Sequence, residues 1–180
     1  LEPWVTAYGS QDSIESLFVN LKFDSGDGWG ECAPAPLPLY NSEYTKGAFA
    51  AAHDVFAAQI VGQEISSGDQ LQSLFQEFKG HEFTRSAFDS AWWDAHALAC
   101  TKPLWSLIGG VNQTISVGAD IPVLSSTSAL INRVAEAIDQ GFPRVKLKFN
   151  RSCTVEMIER VRSNFPDLTM HIDCNSGFTL

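Results

Sequence analysis

Apolar and polar positions alternate along residues 16–23, with Leu17, Val19, Leu21 and Phe23 on one face, and this two-residue period predicts a strand. Asp24-Ser25-Gly26-Asp27-Gly28 is a turn cluster, and Trp29-Gly30-Glu31-Cys32 restarts the chain as a second strand, so a hairpin is expected. The prolines of Ala33-Pro34-Ala35-Pro36-Leu37-Pro38 bar helix and predict an extended loop. The period then becomes helical. Ser42 offers an N-cap, residues 44–61 read as an Ala-rich helix, and Gly62 is placed to end it. Further helices are predicted over 67–78 and 83–100. In the last of these Ala87, Ala91, Ala95 and Ala99 recur every fourth residue, a stripe that lets another element approach closely, while Phe88, Trp92 and Trp93 supply bulk. Pro103 and Gly109-Gly110 punctuate its end.

Beyond Gly110 strands and helices alternate. Strands are predicted over 115–119, 144–149 and 168–173. Between them lie a helix capped by Ser126 or Thr127 and closed by Gly141, and a helix over 154–164 ended by Pro166. Such alternation implies a parallel sheet with right-handed crossovers. The strand-to-strand repeat of roughly 25–30 residues is the size of one unit in an eight-fold βα barrel. An open flavodoxin-like sheet begins the same way, and periodicity does not separate the two. No Gly-x-Gly-x-x-Gly follows a strand, so a dinucleotide-binding sheet has no support. The expected architecture is an α+β capping domain over residues 1–110, followed over 111–180 by the first three βα units of a TIM-type (β/α) barrel. Closing that barrel takes roughly 130 or more further residues, so the chain is expected to be truncated.

Composition narrows the function classes. Hydrophobic residues make up 44% and charged residues 18% of the 180 positions, ordinary for a globular protein. A formal net charge of -9 with no basic stripe argues against nucleic acid. An acidic chain can still hold a local cationic pocket, so an anionic substrate stays open. No apolar run is long enough to span a bilayer, and no basic segment precedes an apolar stretch as in a signal peptide. Cys32, Cys100, Cys153 and Cys174 are scattered and form no C-x-x-C pair, so they are expected to be reduced, mostly buried thiols of a cytoplasmic protein.

The chemistry concentrates in two strands. In Arg144-Val145-Lys146-Leu147-Lys148-Phe149 the two lysines share one face, because strand side chains alternate. Parallel strands are normally apolar on both faces, so a lysine-bearing face points to a site. Two neighbouring ammonium groups and partial burial are expected to lower both pKa values, which suits a lysine general base. In Met170-His171-Ile172-Asp173-Cys174-Asn175 the polar residues share the opposite face from Met170 and Ile172. Asp173 falls at the C-terminal end of its strand, where both barrels and open α/β sheets keep their sites, and its carboxylate suits a hard cation such as Mg²⁺. His171, deeper in the strand, reads as a core histidine.

Lys146-Leu147-Lys148 followed by Asp173-Cys174-Asn175 resembles the K-x-K and D-x-N pair of the enolase superfamily, in its muconate-lactonizing-enzyme subgroup. Gly28-Trp29-Gly30-Glu31, Ala91-Trp92-Trp93-Asp94 and Lys102-Pro103-Leu104 with Gly109-Gly110 resemble the N-terminal capping domain of that subgroup, in the expected order. The residues from Asn164 to Leu180 look most like o-succinylbenzoate synthases and N-succinylamino acid racemases. The resemblance implies a divalent metal, Mg²⁺ or Mn²⁺, and abstraction of the proton beside a carboxylate through an enediolate. By position Lys148 matches the catalytic base, and Lys146 the lysine that tunes it and contacts the substrate carboxylate. Asp173 matches the first of three metal ligands, with Asn175 supporting it from behind. The loops 2–14 and 33–41 match two capping loops that help choose the substrate, and Tyr8, Ser10, Leu37 and Tyr40 are their candidate contacts.

The resemblance leaves three functions open: dehydration as an o-succinylbenzoate synthase in menaquinone biosynthesis, racemisation or epimerisation of N-acylamino acids or dipeptides, and a non-catalytic fragment or binding module. The expected partner is a small-molecule carboxylate. Exposed Trp and Phe on the capping helices make homo-oligomerisation a further expectation. Two more acidic ligands and a second lysine are needed from later strands, so this chain alone is expected to be inactive.

Overall fold

The computed structural model describes residues 3–111 and 114–179. Glu2, at the start of the first expected capping loop, and Leu180 lie outside them. In chain order the first half contains β1 (Trp4–Thr6), β2 (Gly9–Gln11), β3 (Leu17–Phe23), β4 (Gly26–Cys32), α1 (Thr45–Ala51), a π-helical turn (Ala52–Phe56), α2 (Ala57–Ile60), α3 (Gly68–Phe75), α4 (Glu82–Ala99) and α5 (Leu104–Leu107). The second half contains β5 (Ala119–Ile121), α6 (Thr127–Asp139), β6 (Arg144–Lys148), α7 (Val155–Asn164) and β7 (Thr169–Asp173). The chain divides into two compact units, Ile14–Gln113 and Leu1–Ser13 with Thr114–Leu180, so the β1–β2 segment groups with the later elements.

In the unit Ile14–Gln113, β3 and β4 form the expected antiparallel hairpin, with Leu17 opposite Cys32 and Phe23 opposite Gly26. The Ala stripe of α4 receives β4. A Cβ on Gly30 would collide with the Ala87 carbonyl oxygen, and one on Gly28 with the Ala91 carbonyl oxygen, so only glycine allows this approach. The Trp29 N–H donates to Asp94 Oδ2 at 2.9 Å and ties the strand edge to the same helix. Phe56, Phe75 and Phe88 fill the space between helices, with Phe56 and Phe75 edge-to-face at 4.9 Å.

Helix starts follow two rules here. Ser67 and Ser126 cap α3 and α6 by accepting from the Gln70 and Ala129 N–H groups. The expected cap at Ser42 is not used: Tyr44 precedes α1 without a side-chain cap bond. The N-terminus of α4 is held instead by Glu43, which is buried. Its Oε1 accepts from Phe83 N at 2.7 Å, and its Oε2 from Thr84 N at 3.0 Å and Thr84 Oγ1 at 2.7 Å. The helix predicted over 44–61 is continuous to Ile60 but widens at Ala52–Phe56. The helix predicted to reach residue 78 ends at Phe75.

In the other unit β5, β6 and β7 form a parallel sheet in that order. Ile121, Val134, Val145, Leu147 and Val161 are buried between the sheet and α6 and α7. The strand predicted at 115–119 lies later, at Ala119–Ile121, which brings Asp120 into the sheet. Residues 4–11 were expected as loop; they form the short antiparallel hairpin of β1 and β2. Val123 N donates to Val5 O at 3.0 Å, which ties this hairpin to the segment after β5. A three-stranded parallel sheet with two crossover helices is what the described residues contain. No helix among them is long and apolar enough to cross a membrane.

Candidate active site

Register sets the site. Asp120, Lys146 and His171 are cross-strand neighbours on β5, β6 and β7, and Lys148 is paired with Asp173 one step further toward the C-terminal ends. Val145 and Leu147 turn into the helix-covered core, so the alternating Lys146 and Lys148 must share the other face. The two lysines and the aspartate predicted to converge do so. Lys148 Nζ donates to Asp173 Oδ2 at 2.8 Å and to Asn175 Oδ1 at 3.2 Å. Lys146 Nζ lies 2.7 Å from Asp120 Oδ2 and 3.6 Å from Asp173 Oδ2. The Lys148 side chain is 11% exposed and that of Lys146 33%.

Asn175 sits at φ 45°, a left-handed conformation that asparagine tolerates. This turn sends the Asn175 N–H back to Asp173 Oδ1 at 3.0 Å while its side-chain oxygen meets Lys148. The Lys148 hydrogen bond and the Asn175 backbone N–H together hold the Asp173 carboxyl down at about 2. The expectation for Lys146 is overturned. Its hydrogen bond to Asp120 raises its pKa, and the charges of Asp120 and Asp173 add to that against partial burial. Asp120 is the residue the strand reading missed. A strand placed four residues too early left it in a loop, and its only sequence signal is a lone acid at the sheet register of Lys146.

The remaining candidates are dispersed. Tyr8 and Ser10 are exposed, at the β1–β2 turn and in β2. The neighbouring Ala7 lies against Gly177, in the segment that follows β7, so this hairpin sits by the C-terminal end of the sheet. Leu37 and Tyr40 are exposed in the other unit, on the loop after β4. His171 is exposed, not a core residue, because β7 ends the sheet among the described strands. All four thiols are free, but only Cys32 is buried; its burial, with Glu43 nearby, pushes its thiol up to about 11.

An ionised carboxylate at a strand end suits Mg²⁺ or Mn²⁺, and the lone pairs of Asp173 are not exhausted by three donors. No group of three or more His, Cys, Asp or Glu side chains with metal-binding geometry occurs among the described residues. Asp173 therefore fits one ligand position of such a site and not the whole of it.

Residues 1–109 match the model of the mandelate racemase / muconate lactonizing enzyme N-terminal domain. The chain is 31% identical over 179 residues to an o-succinylbenzoate synthase of Listeria innocua, covering 99% of this chain and 48% of that protein. It is 29% identical over 175 residues to an N-succinylamino acid racemase of Thermus thermophilus, covering 97% and 47%. A solved enolase-superfamily member from Listeria innocua superposes with a TM-score of 0.91 at 30% identity, over 99% of this chain and 48% of that one. The chain spans about half the length of the curated relatives it matches.

Proposed function

Because the chain belongs to the mandelate racemase / muconate lactonizing enzyme family of the enolase superfamily, we propose that the full-length protein abstracts the proton beside a substrate carboxylate. The observation that carries this reading is the meeting of Lys148, Lys146 and Asp173 on one face at the C-terminal end of a parallel sheet. Active sites of barrels and open α/β sheets lie at that end. In this reading the sheet is the start of a βα barrel, and further strands outside these residues supply the other metal ligands.

Each residue has a distinct task. Lys148, the less exposed lysine, takes the α-proton onto Nζ. Asn175 and Asp173 accept from the same nitrogen and fix where it points. Lys146, kept protonated beside Asp120, presents a positive charge to the substrate carboxylate. Asp173 holds the divalent cation as one ligand. That cation, when bound, supplies positive charge against the negative charge that grows on the carboxylate oxygens, which lowers the transition state more than the ground state. Tyr8 and Ser10 contribute to substrate choice from the β1–β2 hairpin.

The specific reaction we assign first is dehydration to o-succinylbenzoate. The similarity to N-succinylamino acid racemases, at nearly the same identity, supports racemisation of succinylated amino acids as the second reading. Full-length protein with Mg²⁺ in D₂O decides between them. The first reading expects a dehydrated aromatic product, and the second expects deuterium at the α-carbon of a recovered succinylamino acid. Neither product nor exchange with either substrate class contradicts both.

A further inference from the structure

Lys146 faces two carboxylates, and the closer one belongs to Asp120. The Lys146 ammonium has three N–H donors. One is committed to Asp120 Oδ2 at 2.7 Å, and Asp173 Oδ2 lies on a second side at 3.6 Å. That leaves two N–H groups, with Asp173 beyond hydrogen-bond distance of both, for a ligand. The contrast with Lys148 is informative. Lys148 is held by Asp173 and Asn175 from the following strand and turn and is nearly enclosed. Lys146 is one-third exposed on a long flexible stem, and among the described residues Asp120 is the neighbour that pairs with it at hydrogen-bond distance. An exposed lysine ordinarily samples many rotamers, so one ion pair decides where this ammonium spends its time.

The backbone supports the pairing. Asp120 is the middle residue of the three-residue strand β5 and is the direct cross-strand partner of Lys146. Its flanks, Ala119 and Ile121, pack into the apolar layer, with Ile121 2% exposed. The anchored flanks give the Asp120 side chain one direction, onto the polar face of the sheet.

We infer that Asp120 is a positioning residue: it holds the Lys146 ammonium in place so that its remaining N–H groups meet the substrate carboxylate. This rests on the proton-abstraction reading given above. Asp120 touches neither the reacting carbon nor the transferred proton in this account. It acts through Lys146, and its carboxylate also offsets that ammonium, so the pair adds no net charge to the site.

The test uses full-length protein and two readouts. The first needs no turnover: in protein labelled with ¹⁵N-lysine, the Lys146 ammonium protons exchange slowly with water while they are held by Asp120. The signal is expected to persist in Asp120→Asn, which keeps an acceptor oxygen, and to vanish in Asp120→Ala. Persistence in Asp120→Ala overturns the inference, whatever the enzyme's activity. The second readout is kinetic. Loss of positioning is expected to lower kcat/KM by roughly ten- to a hundredfold in Asp120→Ala, mostly as a rise in KM, with substantial rescue by Asp120→Asn. In a Lys146→Ala background the same substitution at 120 is expected to change kcat/KM less than twofold. Equal losses in both backgrounds overturn the claim that Asp120 acts through Lys146. Absence of both dehydrated product and α-proton exchange in the unmodified enzyme contradicts the parent reading alone, and the ammonium signal then still decides the role of Asp120.

Discussion

In the Ile14–Gln113 unit, β4 lies on α4 with glycine against alanine, and its polar contacts are caps and edges such as Glu43 on α4 and Trp29 on Asp94. In the unit holding the parallel sheet, one sheet face gathers Asp120, Lys146, Lys148 and Asp173 within direct pairing distance. The first arrangement buys close packing with residues that have almost no side chain. The second keeps four ionisable groups together at partial exposure, an arrangement with no packing benefit that would explain it. The difference separates residues that pack the fold together from charged residues that pair on an open face of the sheet. Substitutions should divide along the same line, with stability lost in one unit and chemistry lost in the other.

The largest stability effect is expected at Gly30. Gly30→Val drives a side chain into the Ala87 backbone, which a rotamer change cannot relieve. Full-length protein should lose about 3 kcal/mol or more, read as a shift of the urea midpoint. A midpoint within error of the parent breaks the packing half of the comparison. Glu43→Ala comes next. It strips acceptors from Phe83 N, Thr84 N and Thr84 Oγ1 and should cost about 2–3 kcal/mol, whereas Glu43→Gln keeps one acceptor oxygen and should cost less.

The smallest effect is electrostatic and belongs to the charged face. The Asp173 carboxyl is held at about 2, below its usual 3.8, mainly by the Lys148 hydrogen bond. A depressed folded-state value means that the native state favours the ionised form. That contribution to stability is whole above pH 3.8 and drains away as pH falls toward 2. Metal-free protein should therefore show a shallow loss of urea stability across that window, and Asp173→Asn should flatten it. An unchanged slope in Asp173→Asn would assign the acid sensitivity elsewhere.

How much of this was legible in the sequence depends on the range of the interactions. The alternation in 16–23, the Ala stripe of α4 and the K-x-K strand are local patterns, and each led to the right element. The Gly28-Trp29-Gly30-Glu31 and Ala91-Trp92-Trp93-Asp94 motifs looked separate, yet one hydrogen bond from Trp29 to Asp94 and the glycine–alanine contact join them. The convergence of Lys148 on Asp173 followed from side-chain alternation in neighbouring parallel strands. What was missed depends on register or on long-range capping. Asp120 gains its meaning only when β5 is aligned with β6, and a three-residue strand carries too little periodicity to be placed. Glu43 caps a helix forty residues away, so no local pattern marks it. The π-helical turn at Ala52–Phe56 keeps helical composition and changes only the spacing. The Lys146 shift runs opposite to the expectation because the Asp120 carboxylate on the adjacent strand β5 pairs with it, a contact that only the register of β5 against β6 reveals.

The central claim is that Lys148, held between Asp173 and Asn175, takes a proton from the carbon beside a carboxylate. The most direct measurement compares α-proton exchange, or product formation, by full-length parent and Lys148→Ala protein with Mg²⁺ in D₂O. The account predicts a fall of roughly 10²- to 10⁴-fold with the urea midpoint of the Ile14–Gln113 unit unchanged. Exchange by Lys148→Ala at the parental rate would contradict it.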